Sequence, residues 1–136
     1  MKKLIQHVAL YQDHHVLEGQ NIAIGGSRIT GFPEVPDTAD YDEVIDGKGM
    51  LALPGFVNTH NHVAMTVFRS YADDMQLMDW LEKKIWPAEA KLTDDVIYAQ
   101  SMLGIAEMIR CGTTAYADMY DHMDQEARAV EESGIR

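Results

Sequence analysis

The chain has 136 residues, enough for one modest core but fewer than the roughly 250 of a complete parallel (β/α)8 barrel. Its 11 Lys and Arg oppose 22 Asp and Glu, and the net charge of −11 argues against a nucleic-acid partner, because it repels phosphates. Cys111 is the only cysteine, which excludes an internal disulfide and indicates a cytoplasmic protein. No apolar run reaches the roughly 18 residues of a membrane span, so no membrane partner is expected.

Residues 1–51 predict a small β module. Short strands are predicted over residues 4–10, 21–24, 28–29 and 42–45. Gly25-Gly26-Ser27 is typical of a tight hairpin connection, and glycine there permits the required backbone twist. Asp13-His14-His15 is interpreted as an exposed turn without a function.

A strand that ends in two histidines opens the second region, residues 52–136. The run from Met50 to Leu53 predicts the start of a buried strand, Pro54-Gly55 interrupts it, and Phe56-Val57 resumes an apolar strand. In a parallel α/β barrel, the carboxyl end of a strand is where the chemistry lies. This is the end that carries the histidines.

His60 and His62 are one residue apart, and alternate side chains of a strand share a face about 6.5 Å apart. Both imidazoles can therefore reach one cation at roughly 2.0–2.1 Å while Asn61 points away. The pair is half of a metal site, because a catalytic zinc usually takes three protein ligands and a water. Two solvated polar side chains are the alternative interpretation.

A helix is predicted over residues 76–86, and Pro87 is expected to end or kink it. Asp79 and Lys83 form an i, i+4 ion pair on one side. The apolar face of this segment comprises Leu77, Trp80, Leu81 and Ile85. An ordinary amphipathic helix accounts for this pattern.

The clearest helix is predicted to follow Thr93 and to stop at Gly112. Thr93 can cap its first turn, Asp94 and Asp95 suit the positive end of the helix dipole, and Arg110 suits the negative end. Its apolar residues cover more than half of the circumference, as expected for a helix packed on a sheet.

A second strand is predicted over residues 113–119 and a further helix over 124–133, closed by Gly134. Cys111, just before the strand, is interpreted as a small packing residue. The order strand, helix, strand, helix predicts a right-handed parallel unit.

Four segments together resemble the amidohydrolase superfamily, and within it the deaminases of 5'-methylthioadenosine and S-adenosylhomocysteine. These segments are residues 54–62, 69–74 (RSYADD), 78–90 (MDWLEKKIWPAEA) and 107–114 (EMIRCGTT). The resemblance implies an α/β fold: a small β-sandwich-like module over residues 1–51, then the first strands and helices of an incomplete TIM-type (β/α)8 barrel over 52–136. The chain is expected to be truncated, with the module completed by strands from a distant C-terminus.

The resemblance also implies one divalent metal, with zinc favoured, and a metal-activated water that deaminates the adenine of a nucleoside. His60 and His62 would match the first two metal ligands. Glu89 would accept hydrogen bonds from the ribose hydroxyls, and Trp80 would line the nucleoside pocket; an exposed helix-end glutamate and a core tryptophan are the alternatives. The remaining ligands and the proton-shuttling glutamate would lie beyond Arg136, so no catalytic residue is expected within this chain.

Two alternatives stay open. The parent could be another amidohydrolase, such as a guanine or cytosine deaminase or a triazine hydrolase. Asparagine at position 58 resembles the residue found in the branch of the superfamily that contains the nucleoside and triazine deaminases. The chain could instead be a non-catalytic fragment, whose open strand edges and exposed apolar face favour association into homo-oligomers. Asp118 and His122 are given only a weak structural role.

Overall fold

The computed structural model describes all of residues 1–136, which form two compact units, Met1–Pro54 and Gly55–Arg136. The predicted boundary follows residue 51, and the structure divides the chain after Pro54. No helix in the structure is both long and apolar enough to cross a membrane.

The first unit is built on one mixed sheet. Its strands are β1 (Lys2–Gln12), β2 (His15–Gly25), β3 (Arg28–Gly31), β4 (Glu43–Asp46) and β5 (Leu51–Ala52). The order is β3-β2-β1-β4, and β5 also pairs with β1. β2 is antiparallel to β1 and β3, whereas β4 and β5 run parallel to β1.

The buried apolar side chains of this unit come from its two longest strands. Leu4 and Val8 of β1 and Ile22 and Ala23 of β2 are all buried, and Leu4 pairs with Ala23 across the two strands. The predicted hairpin between β2 and β3 is confirmed, and Gly26 adopts a φ of +61° there. One sheet is present in the unit, so a sandwich of two sheets stays a prediction.

The prediction that the run from Met50 to Leu53 is buried is wrong. Leu51 and Leu53 are each about half exposed. β5 is only two residues long and pairs with β1 alone. An edge strand of this length has no second neighbour to cover its side chains.

The second unit carries a parallel pair of strands joined through a helix. Its elements are β6 (Phe56–Asn61), a 3-10 segment (Val63–Phe68), α1 (Leu77–Trp80), a π-helical turn (Leu81–Ile85), α2 (Trp86–Glu89), α3 (Asp94–Arg110), β7 (Thr113–Asp118) and α4 (Met123–Ser133). β6 and β7 are parallel, which confirms the predicted strand, helix, strand order. The right-handed crossover stays a prediction.

Arg136 pairs with β7 as a further parallel segment would. Its N–H donates to the Thr114 carbonyl at 3.1 Å, and its carbonyl accepts from the Tyr116 N–H at 2.8 Å. A parallel ladder bonds one residue to the two that flank its partner in this way. Ile135 beside it is buried with Val63, Ile105 and Ala129.

Of the two effects predicted for Pro87, ending the helix is wrong, because the helical stretch continues to Glu89, and a kink stays a prediction. The turn before it is π-helical, and the Trp86 N–H donates to the Leu81 carbonyl, five residues back. Pro87 then occupies the first turn of α2. Pro87 therefore lies where π-helical hydrogen bonding changes to α-helical, and the helical stretch continues past a residue that has no N–H to donate.

α3 begins and ends where its flanking residues predict, with Gly112 just beyond it at a φ of +84°. The Thr93 side chain, however, makes no capping hydrogen bond. Ile97 and Ile105 are fully buried, whereas Leu103 and Ile109 are nearly half exposed. The packed face is therefore narrower than the apolar pattern suggests.

Gly104 sets how closely α3 approaches the residue after His62. A β-carbon at this position would lie 2.5 Å from Val63 Cγ2 and 3.2 Å from the Val63 carbonyl oxygen. Alanine favours a helix interior over glycine by about 1 kcal/mol, but overpacking costs about 1–3 kcal/mol. We expect Gly104→Ala to lower the free energy of unfolding by up to about 2 kcal/mol.

Urea denaturation followed by tryptophan fluorescence measures this effect, since Trp80 and Trp86 both lie in the second unit. Gly31→Ala is the matched control. Gly31 lies in the other unit, and a β-carbon there would meet no atom within 4 Å. A gain in stability for Gly104→Ala would contradict the close approach.

Candidate metal centre and substrate cavity

His60 and His62 lie next to each other at the carboxyl end of β6. Their ring centroids are 5.2 Å apart, with the ring planes at 75°. The β6–β7 ladder is irregular between Asn58 and Asn61, and a bulge of this kind changes which face a side chain occupies. Asn58 and Asn61, three positions apart, consequently both reach Met108 Sδ of α3, at 4.0 and 3.6 Å.

The tautomer of His62 follows from its hydrogen bond. Nδ1 lies 2.8 Å from the Met119 carbonyl oxygen, just after β7. A carbonyl oxygen only accepts, so Nδ1 carries the proton and the Nε2 lone pair of the neutral ring is free. A backbone carbonyl on the far nitrogen is the usual partner of a metal-bound histidine. His62 is therefore oriented as a ligand would be.

Asp118, the last residue of β7, holds the segment that follows His62. Its side chain is 2% exposed, and Oδ2 accepts a hydrogen bond from the Val63 N–H at 2.6 Å. Its other oxygen, Oδ1, lies 3.8 Å from His62 Nδ1 and has no hydrogen-bond partner. The weak structural role predicted for Asp118 understates these contacts.

A cavity of about 660 Å³ lies beside these residues, a volume in the range of small-molecule sites. Three side chains singled out from the sequence line it: His62, Trp80 and Glu89. His60 instead lines a smaller neighbouring cavity of about 230 Å³, which His62 shares. The larger cavity also has apolar walls, formed by Met65, Leu77, Leu81, Ile85, Met119 and Met123.

Glu89 is half-buried at the end of α2 and is not a free surface carboxylate. The Tyr120 hydroxyl donates to its Oε1 at 2.7 Å. Burial is the main cause that raises the pKa of Tyr120, and the hydrogen bond to Glu89 adds to it. Tyr120 thus remains a protonated donor at neutral pH. Sequence reasoning missed this tyrosine, whose signal was its position two residues beyond a strand end.

Trp80 is half-buried, and its Nε1 donates to the Tyr71 carbonyl at 3.4 Å. Its indole forms part of the cavity wall together with the apolar face of the same helical stretch. The predicted i, i+4 pair between Asp79 and Lys83 is present at 2.7 Å on the other side. The apolar face predicted for this segment therefore lines a cavity.

A buried polar cluster lies beside Asp118. Tyr116 Oη, Asp118 Oδ1 and Glu126 Oε2 are all buried without a hydrogen-bond partner. Burial, reinforced by the Asp118 charge, raises the pKa of Glu126 to about 7. This cluster could not be predicted from the sequence, because Glu126 occupies an ordinary position in an amphipathic helix.

Two further residues singled out from the sequence lie near the two ends of α3. His122 Nδ1 pairs with Asp94 at 2.6 Å, between the starts of α4 and α3. Cys111 is exposed, and the prediction that it packs is wrong. It follows the last turn of α3, where the chain leaves the packed face for Gly112.

The histidine pair fits a zinc-like ion in its donor chemistry, since neutral imidazole nitrogen is a preferred ligand. Residues 1–136 contain no group of three or more His, Cys, Asp or Glu side chains arranged to hold a metal ion. His60 and His62 accordingly amount to two ligands of an incomplete set.

Comparison with known proteins identifies the family of this chain. The amidohydrolase family pattern matches residues 51–136. The 5-methylthioadenosine/S-adenosylhomocysteine deaminase of Dictyoglomus turgidum is 51% identical over 136 residues, which are 100% of this chain and 32% of that protein.

Two zinc-containing crystal structures are also similar. An adenosine deaminase from Xanthomonas campestris superposes with a TM-score of 0.86 at 32% identity, over 98% of this chain and 32% of that one. Atrazine chlorohydrolase from Arthrobacter aurescens TC1 superposes with a TM-score of 0.83 at 26% identity, over 98% of this chain and 34% of that one.

The chain shares its mixed α/β fold with these relatives. The chain belongs to the amidohydrolase family. It spans about a third of the length of the curated relatives it matches.

Proposed function

We propose that these residues form the N-terminal third of a metal-dependent enzyme that deaminates the adenine of 5'-methylthioadenosine or S-adenosylhomocysteine. In this proposal, β6, α3, β7 and α4 are the first elements of a TIM-type (β/α)8 barrel. The parallel pairing of β6 with β7, and of Arg136 with β7, supports that arrangement. Cytoplasmic location, homo-oligomer formation and the absence of nucleic-acid partners stay predictions.

One observation carries the substrate proposal: His62, Trp80 and Glu89 line a single cavity. A flat indole and the methionine and leucine walls suit a purine and an apolar 5'-substituent. A carboxylate accepts hydrogen bonds from ribose hydroxyls, and these bonds are stronger than those to a neutral acceptor. The apolar walls therefore match the purine and the 5'-substituent, and the carboxylate matches the ribose that lies between them.

The residues of this chain bind and orient in the proposed mechanism. His60 and the free Nε2 of His62 would hold the ion, and the Met119 carbonyl fixes the His62 ring. Bound zinc would supply a hydroxide nucleophile near neutral pH. Trp80 would hold the base, Glu89 would hold the ribose, and the apolar wall would exclude bulk water.

Triazine hydrolysis is the second candidate, because atrazine chlorohydrolase shares this fold at 26% identity. A triazine carries no ribose, so it would leave the Glu89 carboxylate without a hydroxyl to bind. This unpaired acceptor favours the nucleoside.

The test follows conversion of the adenine chromophore to hypoxanthine by the zinc-loaded, full-length protein that contains residues 1–136. Turnover of 5'-methylthioadenosine or S-adenosylhomocysteine, with none of atrazine, guanine or cytosine, is expected. A protein that ignores both nucleosides would refute the substrate. The isolated residues 1–136 serve as a control and should be inactive, since two imidazoles do not complete a catalytic site.

A further inference from the structure

The hydrogen bond from Tyr120 to Glu89 joins two parts of the chain at the cavity. Tyr120 follows β7, whereas Glu89 ends α2, 31 positions earlier. The Tyr120 ring also faces His62, with ring centroids 6.3 Å apart and planes tilted by 35°. The phenol therefore connects the proposed ribose acceptor to the side chain proposed to bind the metal.

The bond fixes how Glu89 presents its carboxylate. A carboxylate has two oxygens with about four acceptor sites, and Tyr120 occupies one site on Oε1. No hydrogen bond from the protein is made to Oε2. A carboxylate that is held before the ligand arrives loses less conformational freedom on binding than one that rotates freely.

Other acidic groups at the cavity do not have this arrangement. Asp118 uses Oδ2 to hold the Val63 N–H, and Asp121 lines the cavity without a tyrosine partner. Tyr120 donates its hydroxyl proton to Glu89, so its own oxygen keeps acceptor capacity beside the carboxylate. Two adjacent acceptors suit a ligand with two neighbouring hydroxyl donors.

We propose that Tyr120 is a positioning residue that holds Glu89 to receive the vicinal hydroxyls of a ribose, and so makes the cavity selective for ribonucleosides. This inference rests on the proposed deaminase function. Tyr120 acts through Glu89, so the loss of Tyr120 should weaken the binding of substrates that carry the ribose hydroxyls and should not affect substrates that lack them.

The test compares adenosine with 2',3'-dideoxyadenosine, which lacks both hydroxyls, in the zinc-loaded full-length enzyme. A hydrogen bond to a charged group corresponds to roughly a 10- to 100-fold change in an equilibrium. Tyr120→Phe should reduce the preference for adenosine, expressed as the ratio of kcat/KM values, by roughly 10-fold or more. The loss should lie mainly in KM for adenosine, with kcat nearly unchanged.

The ratio cancels the concentration of folded enzyme, so partial misfolding of Tyr120→Phe does not imitate the effect. In a Glu89→Ala background, Tyr120→Phe should cause no further loss of preference, because the two side chains act as one unit. Tyr98→Phe is the matched control. It removes another tyrosine-to-glutamate bond, from Tyr98 to Glu132 at 2.5 Å, which lies between α3 and α4, and it should leave the ratio unchanged.

The outcomes separate this inference from the proposed function. If the wild type prefers adenosine and Tyr120→Phe keeps that preference, the inference is overturned while the deaminase proposal stands. A wild type that deaminates both nucleosides equally also overturns it. A wild type that deaminates neither adenosine nor 2',3'-dideoxyadenosine overturns this inference, and it overturns the proposed function as well only if 5'-methylthioadenosine and S-adenosylhomocysteine are also left unchanged.

Discussion

Replacing His62 by alanine in the full-length enzyme should remove bound zinc and lower kcat/KM by more than about 100-fold. Loss of a residue that only hydrogen-bonds to a metal ligand lowers activity by about 10- to 100-fold, and loss of a ligand should cost more. The reason lies in the tautomer: the Met119 carbonyl fixes the proton on Nδ1 and frees Nε2 for the ion. Elemental analysis measures the zinc content, and deamination of 5'-methylthioadenosine or S-adenosylhomocysteine at saturating zinc measures the activity.

His14→Ala is the matched control for this substitution. His14 is exposed in the turn between β1 and β2, so neither zinc content nor turnover should change. A His62→Ala enzyme with a full complement of zinc and normal turnover would contradict the ligand assignment.

The wild-type chain should become less stable as the pH rises, and Glu126→Gln should abolish this pH dependence. The pKa of Glu126 is raised to about 7 in the folded chain from a reference value of 4.5. Between these two values the folded state binds more protons than the unfolded state, so the free energy of unfolding falls with rising pH. The loss should be on the order of 2–3 kcal/mol between about pH 4.5 and pH 7.

Glutamine is close to glutamate in size and remains polar at this position, but it does not ionise. Urea denaturation of residues 1–136 at pH 5 and pH 8 measures the difference. Glu131→Gln, at an exposed position of the same helix, should behave as the wild type does. If the free energy of unfolding changes equally with pH in the wild type and in Glu126→Gln, the buried carboxyl group does not cause the pH dependence.

Local signals explain why part of the fold was predictable. Asp94 and Asp95 at one end of α3 and Gly112 at the other mark a helix through interactions within a single turn. The turn at Gly26 requires a positive φ, which glycine permits at little cost. Such features depend on neighbouring residues, so the sequence alone displays them.

The errors arose where distant contacts or bonding register decide the outcome. Pro87 ends a regular helix, but the π-helical turn before it admits the ring within a continuing stretch. The apolar run at Leu51 implies burial, yet its two-residue strand lies at a sheet edge. Neither the turn type nor the sheet position follows from hydrophobic pattern.

The candidate site was predictable to a similar extent. Alternation along a strand brought His60 and His62 together in the prediction, and their rings are neighbours in the structure. The only signal for Tyr120 was its position two residues beyond β7, and Glu126 had none. Their importance comes from the residues that they meet after folding: Tyr120 meets Glu89 of α2, and Glu126 lies near Asp118 of β7.

The most direct test of the account is anomalous diffraction at the zinc edge from crystals of the zinc-loaded full-length protein. The predicted result is one zinc ion with Nε2 of His62 and a ring nitrogen of His60 both at roughly 2.0–2.1 Å. An ordered zinc bound elsewhere, with the two rings free of it, would contradict the account.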